Sequence, residues 1–207
     1  MSPGHPHPHP HQPDLEDRPF TYHQLLAEAV GELLIEKQVF GADELRATLE
    51  DIDARSPAEG ARLVARAWLD PGFRARLLED VNAAAAELGI DAGAIPIRAV
   101  ANTGRVHNLI VCTLCSCYPR LLIGLPPDWY KARAYRARAV REPRSVLREF
   151  GTELPAEVEV RVHDSTADLR YLVLPERPAG TDGWDEARLA SIVTRDCLIG
   201  VALPKTG

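Results

Sequence analysis

Cysteine is scarce in this chain, with four in 207 residues. Three of them stand within the six residues Cys112-Thr113-Leu114-Cys115-Ser116-Cys117, and Cys197 lies far downstream. No second Cys/His pair follows the cluster, which argues against a four-ligand structural zinc module. The fourth thiolate that an iron–sulfur cluster wants is missing too. A Cys115–Cys117 disulfide would close a very small, strained ring, so a structural bridge is disfavoured. Cysteines that cluster, rather than frame the chain, predict a reducing, cytoplasmic location. No apolar stretch approaches ~20 residues, so no membrane span is expected, and the N-terminus has no apolar signal region. A net charge of -6, without a Lys/Arg run interleaved with aromatics, argues against a nucleic-acid partner. Arginines do gather between Lys131 and Arg148, but Glu142 and Glu149 interrupt them, as on a solvated face or a subunit contact. Neither a Ser/His/Asp motif nor a glycine-rich phosphate loop competes with the cysteine cluster, and no internal repeat is visible.

What is present suffices for a sizeable core: 45% of the residues are hydrophobic, which predicts one globular domain with appendages. Residues 1–19 open with His5-Pro6-His7-Pro8-His9-Pro10-His11, and alternating prolines predict an extended, disordered tail. Its histidines could capture a stray divalent metal; a plain extension without a fold role is the preferred reading. Residues 20–90 read as helical. Thr21-x-x-Gln24 is a capping-box signal leading into Leu25, Leu26, Ala29, Val30, Leu33 and Leu34. Leu45, Leu49 and Ile52 mark a second helix, and Ser56-Pro57-Ala58-Glu59 starts a third. Asp70-Pro71 starts a fourth, running through Phe73, Leu77, Leu78 and Val81 toward Gly89. These helices could form a bundle of their own or an arm that packs on a partner.

Residues 91–207 change in texture. Ile95 to Val100 and His107 to Val111 are candidate strands. Val158 to His163 alternates with period two, and Tyr171 to Leu174 is its expected neighbour. Helices are expected over Ser145 to Phe150 and Asp185 to Val193, and a final strand over Leu198 to Leu203. Helices and strands mix without a regular βαβ repeat, so the expected class is α+β.

The cysteine cluster comes straight off the second candidate strand, where a turn can aim backbone amides at a ligand. Three thiols this close read as a soft metal claw, completed by something other than side chains and with a position left open for chemistry. His107 and His163 have plainer readings, a strand-end hydrogen-bond network and a strand edge. Asp164 and Arg170 flank a turn and could pair; lone Cys197 reads as a small buried residue.

Val111-Cys112-Thr113-Leu114-Cys115-Ser116-Cys117 resembles the metal-claw motif shared by nitrile hydratase alpha subunits and thiocyanate hydrolase gamma subunits. The similarity continues through Gly124-Leu125-Pro126-Pro127-Asp128-Trp129-Tyr130-Lys131, Arg141-Glu142-Pro143-Arg144, residues 177–184 and Val193-Thr194-Arg195-Asp196. The resemblance implies a helical arm that embraces a beta-type partner, followed by a mixed α/β layered catalytic domain. It implies that Cys112, Cys115 and Cys117 hold the metal by sulfur, with the backbone nitrogens of Ser116 and Cys117 completing the ligand set. Cys112 would be axial, Cys115 would carry the sulfinic state and Cys117 the sulfenic state, and a sixth position would take water or substrate. Thr113 resembles the cobalt branch, implying low-spin, non-corrin Co(3+), with iron the second choice.

The implied reaction adds water across a C≡N bond, with Cys117, Cys115 and Ser116 as catalytic residues. Thiocyanate hydrolysis is the close alternative, because Arg120 stands where nitrile hydratases commonly have a pocket-lining Trp, and a guanidinium suits an anion. Leu121-Leu122-Ile123 and Gly124-Leu125-Pro126-Pro127 lean back toward nitrile hydratase. A cobalt-binding module without turnover is the reading from another class. Implied partners are a beta-type subunit, whose arginines bind the oxidised cysteine oxygens, and a cobalt activator protein.

Overall fold

A computed structural model of the chain describes residues 21–206; the expected Pro/His tail lies outside them. Two compact units divide the chain, residues 21–48 of the described chain falling in the first and 49–206 in the second.

In the first unit, α1 (Tyr22–Glu36) is opened by the expected capping box: Thr21 Oγ1 accepts from the Gln24 N–H, and the Thr21 N–H donates to Gln24 Oε1 at 2.8 Å. None of the α1 residues is buried. The boundary falls within α2 (Ala42–Ala54).

The second unit continues with α3 (Ala58–Leu69), α4 (Pro71–Glu79) and α5 (Val81–Glu87). Where one helix was expected from Asp70 toward Gly89 there are two. Asp80 leaves the helical region (φ -150°, ψ 108°), and its carboxylate caps the next helix by accepting from the Ala83 N–H at 3.0 Å. Asp70 does the same for Phe73 at 2.9 Å, with Pro71 at the first helical position. Then come β1 (Ile97–Ala101), β2 (Val106–Val111), α6 (Arg120–Ile123), α7 (Asp128–Lys131), α8 (Arg133–Arg141) and α9 (Pro143–Glu149). The chain closes with β3 (Glu159–Asp164), β4 (Arg170–Leu174), α10 (Glu186–Ser191) and α11 (Arg195–Ile199). This is the mixed helix–strand class expected.

Strand pairing differs from expectation. β3 does not lie beside β4; it pairs in parallel with β2, Val106 opposite Glu159 and Val111 opposite Asp164. β4 pairs in parallel with β1, Ile97 opposite Arg170. Period-two alternation identifies strands but says nothing of partners, and a short link after β3 carries the chain from one two-stranded sheet to the other.

The expected last strand is also replaced. Residues 195–199 are helical because Thr194 caps them, Oγ1 accepting from the Cys197 N–H. Cys197, Leu198 and Ile199 are all buried, and a short apolar run buried on every side has no diagnostic period. Gly200 ends the helix at φ 92°, where an added Cβ would lie 2.0 Å from the Asn108 carbonyl oxygen. Only glycine fits that crossing over β2.

One core joins both sheets to α3–α5. Leu63, Val64, Phe73, Leu77 and Val81 belong to the same buried cluster as Leu109, Val111, Leu172 and Val173. Arg66 of α3 also pairs with Glu186 of α10 at 2.7 Å. The result is a rigid floor beneath the end of β2, where the cysteine loop begins.

Candidate metal centre

β2 ends inside the core, with Leu109, Ile110 and Val111 almost fully buried, so the loop leaves from a fixed point. Tyr135 of α8 donates its hydroxyl to the Ile110 carbonyl at 2.6 Å, and the Ser165 N–H donates to the Val111 carbonyl at 2.7 Å. The far end is pinned too: buried Tyr130 of α7 donates to the Cys117 carbonyl at 2.9 Å. Tyr130 is itself locked edge-to-face against Tyr118, with ring centroids 5.0 Å apart.

Between these anchors, Asp164 at the end of β3 grips Thr113 twice. Its carboxylate accepts the Thr113 N–H at 2.9 Å and the Thr113 hydroxyl at 2.6 Å. Arg136 adds a longer contact to the Thr113 carbonyl at 3.4 Å. Asp164 therefore serves the loop and does not pair with Arg170 as expected. Asp164 and Thr113 are 51 positions apart, and the parallel β2–β3 register that joins them has no local sequence signal. His163 is half-buried, with Nε2 2.8 Å from Asn108 Oδ1. His107 is buried, with Nε2 2.7 Å from the Gly200 carbonyl oxygen, and burial lowers its pKa. Cys197 is buried.

The loop brings three sulfurs together. Cys112 Sγ lies 3.5 Å from Cys115 Sγ, which lies 3.2 Å from Cys117 Sγ, and all three fall within 4.8 Å of one another. Cys112 is buried, Cys117 half-buried and Cys115 exposed. With metal–sulfur bonds of ~2.3 Å, sulfurs at right angles about one ion sit ~3.3 Å apart, and at the tetrahedral angle ~3.8 Å. The observed spacings suit the right-angle arrangement, so the donor set fits a soft ion with further positions to fill.

The Cys115 N–H donates to the Cys112 sulfur at 3.3 Å. Hydrogen bonds with the Cys117 and Cys112 thiols, helped by the Ser116 and Cys117 backbone, bring the Cys115 thiol down to about 7. Burial, with its place as partner to Cys115, pushes the Cys117 thiol up to about 12, and the nearby Arg170 charge works against that rise. The coupled thiols thus give up a first proton more readily than a lone cysteine and the next one less readily.

Beside the loop lies a cavity of about 740 Å³, lined by Cys115, Ser116 and Cys117. Its apolar wall includes Ile95, Ile97, Leu121 and Leu125; its charged rim is Arg120, Asp128, Lys131 and Arg170. Arg120, singled out from the sequence, is exposed and lines this cavity. Arg170 was placed in a turn pair instead. Its first-residue position on β4, opposite Ile97, is what brings it here.

Comparison with known proteins shows the family. Residues 21–202 match the family model for nitrile hydratase, alpha chain. Thiocyanate hydrolase subunit gamma of Thiobacillus thioparus is 46% identical, covering 89% of this chain and 81% of the relative. The alpha subunit of the low-molecular weight cobalt-containing nitrile hydratase of Rhodococcus rhodochrous is 56% identical, covering 72% of this chain and 73% of its own. Among solved structures, a double mutant of the Fe-type nitrile hydratase of Comamonas testosteroni Ni1 superposes with a TM-score of 0.82. It is 42% identical, covering 88% of this chain and 90% of that one. The three-sulfur claw stands within the matched residues, and the chain belongs to the nitrile hydratase alpha-chain family.

Proposed function

We propose that this chain is the metal-bearing catalytic subunit of a cobalt nitrile hydratase, adding water to a C≡N bond to give an amide. The observation that carries the reading is the convergence of the Cys112, Cys115 and Cys117 sulfurs, with Cys115 and Cys117 at the wall of an open cavity. Cys112, Cys115 and Cys117 would hold the ion through sulfur, with the backbone nitrogens of Ser116 and Cys117 as further ligands. A trivalent cobalt ion there would polarise the nitrile nitrogen or lower the pKa of water. The protein's share is positioning. Asp164 and Tyr130 fix the loop at both ends, and Ile95, Leu121 and Leu125 offer an apolar wall to the organic part of the substrate. Cys115 in the sulfinic state and Cys117 in the sulfenic state would present oxygen to the cavity, and Ser116 would donate a hydrogen bond there.

A beta-type subunit and a cobalt activator protein complete this picture. The arm that meets the partner is assigned to the helical region 20–90. The support comes from α1, where Leu25, Leu26, Val30 and Leu33 form an exposed apolar stripe. Among the described residues no helix is long and apolar enough to cross a membrane, and we assign the protein to the cytoplasm. A second reading, thiocyanate hydrolysis to carbonyl sulfide and ammonia, is favoured by Arg120 on the cavity rim. Iron is the second choice of metal, as in the Fe-type relative.

The test is a product assay on the chain co-expressed with its beta-type subunit in cobalt medium, with a small nitrile and thiocyanate offered separately. Amide without ammonia supports the hydratase; ammonia with carbonyl sulfide moves the chain to the second reading. Cys115→Ala should abolish either activity, and a variant that keeps full turnover would sink the assignment.

A further inference from the structure

Residues 91–95 lead from α5 toward β1, and among the described residues none of their backbone groups bonds to another backbone group. Two side chains hold this segment instead. Asp91 Oδ1 accepts the Gly93 N–H at 2.8 Å. Asn82 of α5 turns its whole amide to the segment and to the start of β1. Its Nδ2 donates to the Gly93 carbonyl at 2.8 Å and to the Ile95 carbonyl at 3.1 Å, while Oδ1 accepts the Ile97 N–H at 2.9 Å. The base for this grip is firm: Val81, Ala84 and Ala85 of α5 are buried in the core, and the Asp80 cap fixes the first turn.

The segment is a thin partition. On one side Gly93, Ala94 and Ile95 line the cavity that holds Cys115 and Cys117. On the other lies a second hollow of about 340 Å³, lined in part by Asn82, Gly93, Ala94 and Pro96. With open space on both faces, packing does little to fix the partition. Gly93 also comes so close to α6 that an added Cβ would lie 2.6 Å from Leu121 Cδ1, and its φ of 80° favours glycine. A shift of the partition therefore changes the width of the cavity beside the claw.

We propose that Asn82 is a positioning residue that holds this partition in place and thereby sets the size of organic group the cavity admits beside Cys115 and Cys117. The size rule rests on the proposed function; the clamp itself stands on the three hydrogen bonds. Without them, a bulky substrate must order the partition as it binds, and that cost falls on KM. A substrate too small to reach the partition escapes the cost, and the chemistry at the claw is untouched.

The clamp is tested by hydrogen exchange and mass spectrometry on the full chain. In Asn82→Ala, peptides covering residues 91–97 should exchange about tenfold faster, with those covering β2 and the claw unchanged. Alanine is a good helix former, so α5 itself is not put at risk. Asn82→Asp keeps the acceptor for the Ile97 N–H, loses both donors and should give an intermediate rate. Unchanged exchange at 91–97 overturns the clamp, as does faster exchange spread evenly over the chain; should Asn82→Ala not fold, Asn82→Asp decides alone. The size rule is read in the assembled cobalt enzyme. Asn82→Ala should raise KM for an aromatic nitrile about tenfold, keep KM for acetonitrile within about twofold and leave kcat for both in place. Equal changes for the two nitriles overturn the size rule. A wild-type enzyme that hydrates neither nitrile refutes the proposed function and the size rule with it, while the exchange result still decides the clamp.

Discussion

Helices α1 and α3 are of similar length and carry similar stripes, yet their fates differ. In α3, Leu63, Val64 and Ala65 are fully buried. In α1, Leu25, Leu26, Val30 and Leu33 remain 46–52% exposed. α1 has a full capping box, whereas α3 begins after Pro57 with no side-chain cap, so the better local start belongs to the helix that stays exposed. An apolar stripe states that a helix needs a face to cover it, not where that face is. For α3 the cover is the strand and helix core of its own unit; for α1 we assign it to a partner.

The sharpest way to break that contrast is truncation. Leu63→Ala should cost about 2–5 kcal/mol of folding stability in denaturant titration. Leu26→Ala should change the same transition by less than about 0.5 kcal/mol. Equal losses would mean that α1 is as integral to the fold as α3. Charge on the stripe comes next. Leu26→Glu should weaken association with the beta-type subunit about tenfold, near 1.4 kcal/mol, while the unfolding midpoint of the isolated chain stays put. Calorimetry of the mixed subunits reads this, and undiminished association would remove α1 from the interface. Smallest is the effect of the caps. Thr194→Ala, at the start of α11, should cost about 1 kcal/mol of global stability. Thr21→Ala should only speed amide exchange in the first turn of α1. A global loss from Thr21→Ala would contradict the exposure of that helix.

The loop shows how far the sequence is legible. Cys112, Cys115 and Cys117 were identified as a claw because three thiols within six residues can converge without help from the rest of the fold. Helix starts at Thr21 and Asp70 were readable for the same reason, since a cap spans three residues. Asp80 was passed over because its capping competes with an uninterrupted apolar pattern. The partners of β3 and β4, the clamp of Asp164 on Thr113 and the approach of Arg170 to the cavity were not readable. Each depends on parallel pairing between segments some 50 to 70 residues apart, whose register is set by shared burial. The run Leu198 to Leu203 was misread as a strand because its first residues, Leu198 and Ile199, are buried on every side and show no period.

By itself, then, the sequence determined the clustering of Cys112, Cys115 and Cys117, the helical start signals, the alternating strand and the mixed class, all through patterns a few residues long. Only the tertiary structure decided which strands meet, which carboxylate holds the loop and which guanidinium groups face the cavity. Those choices are made by packing across the core, where distance along the chain counts for nothing and the fit of buried surfaces decides.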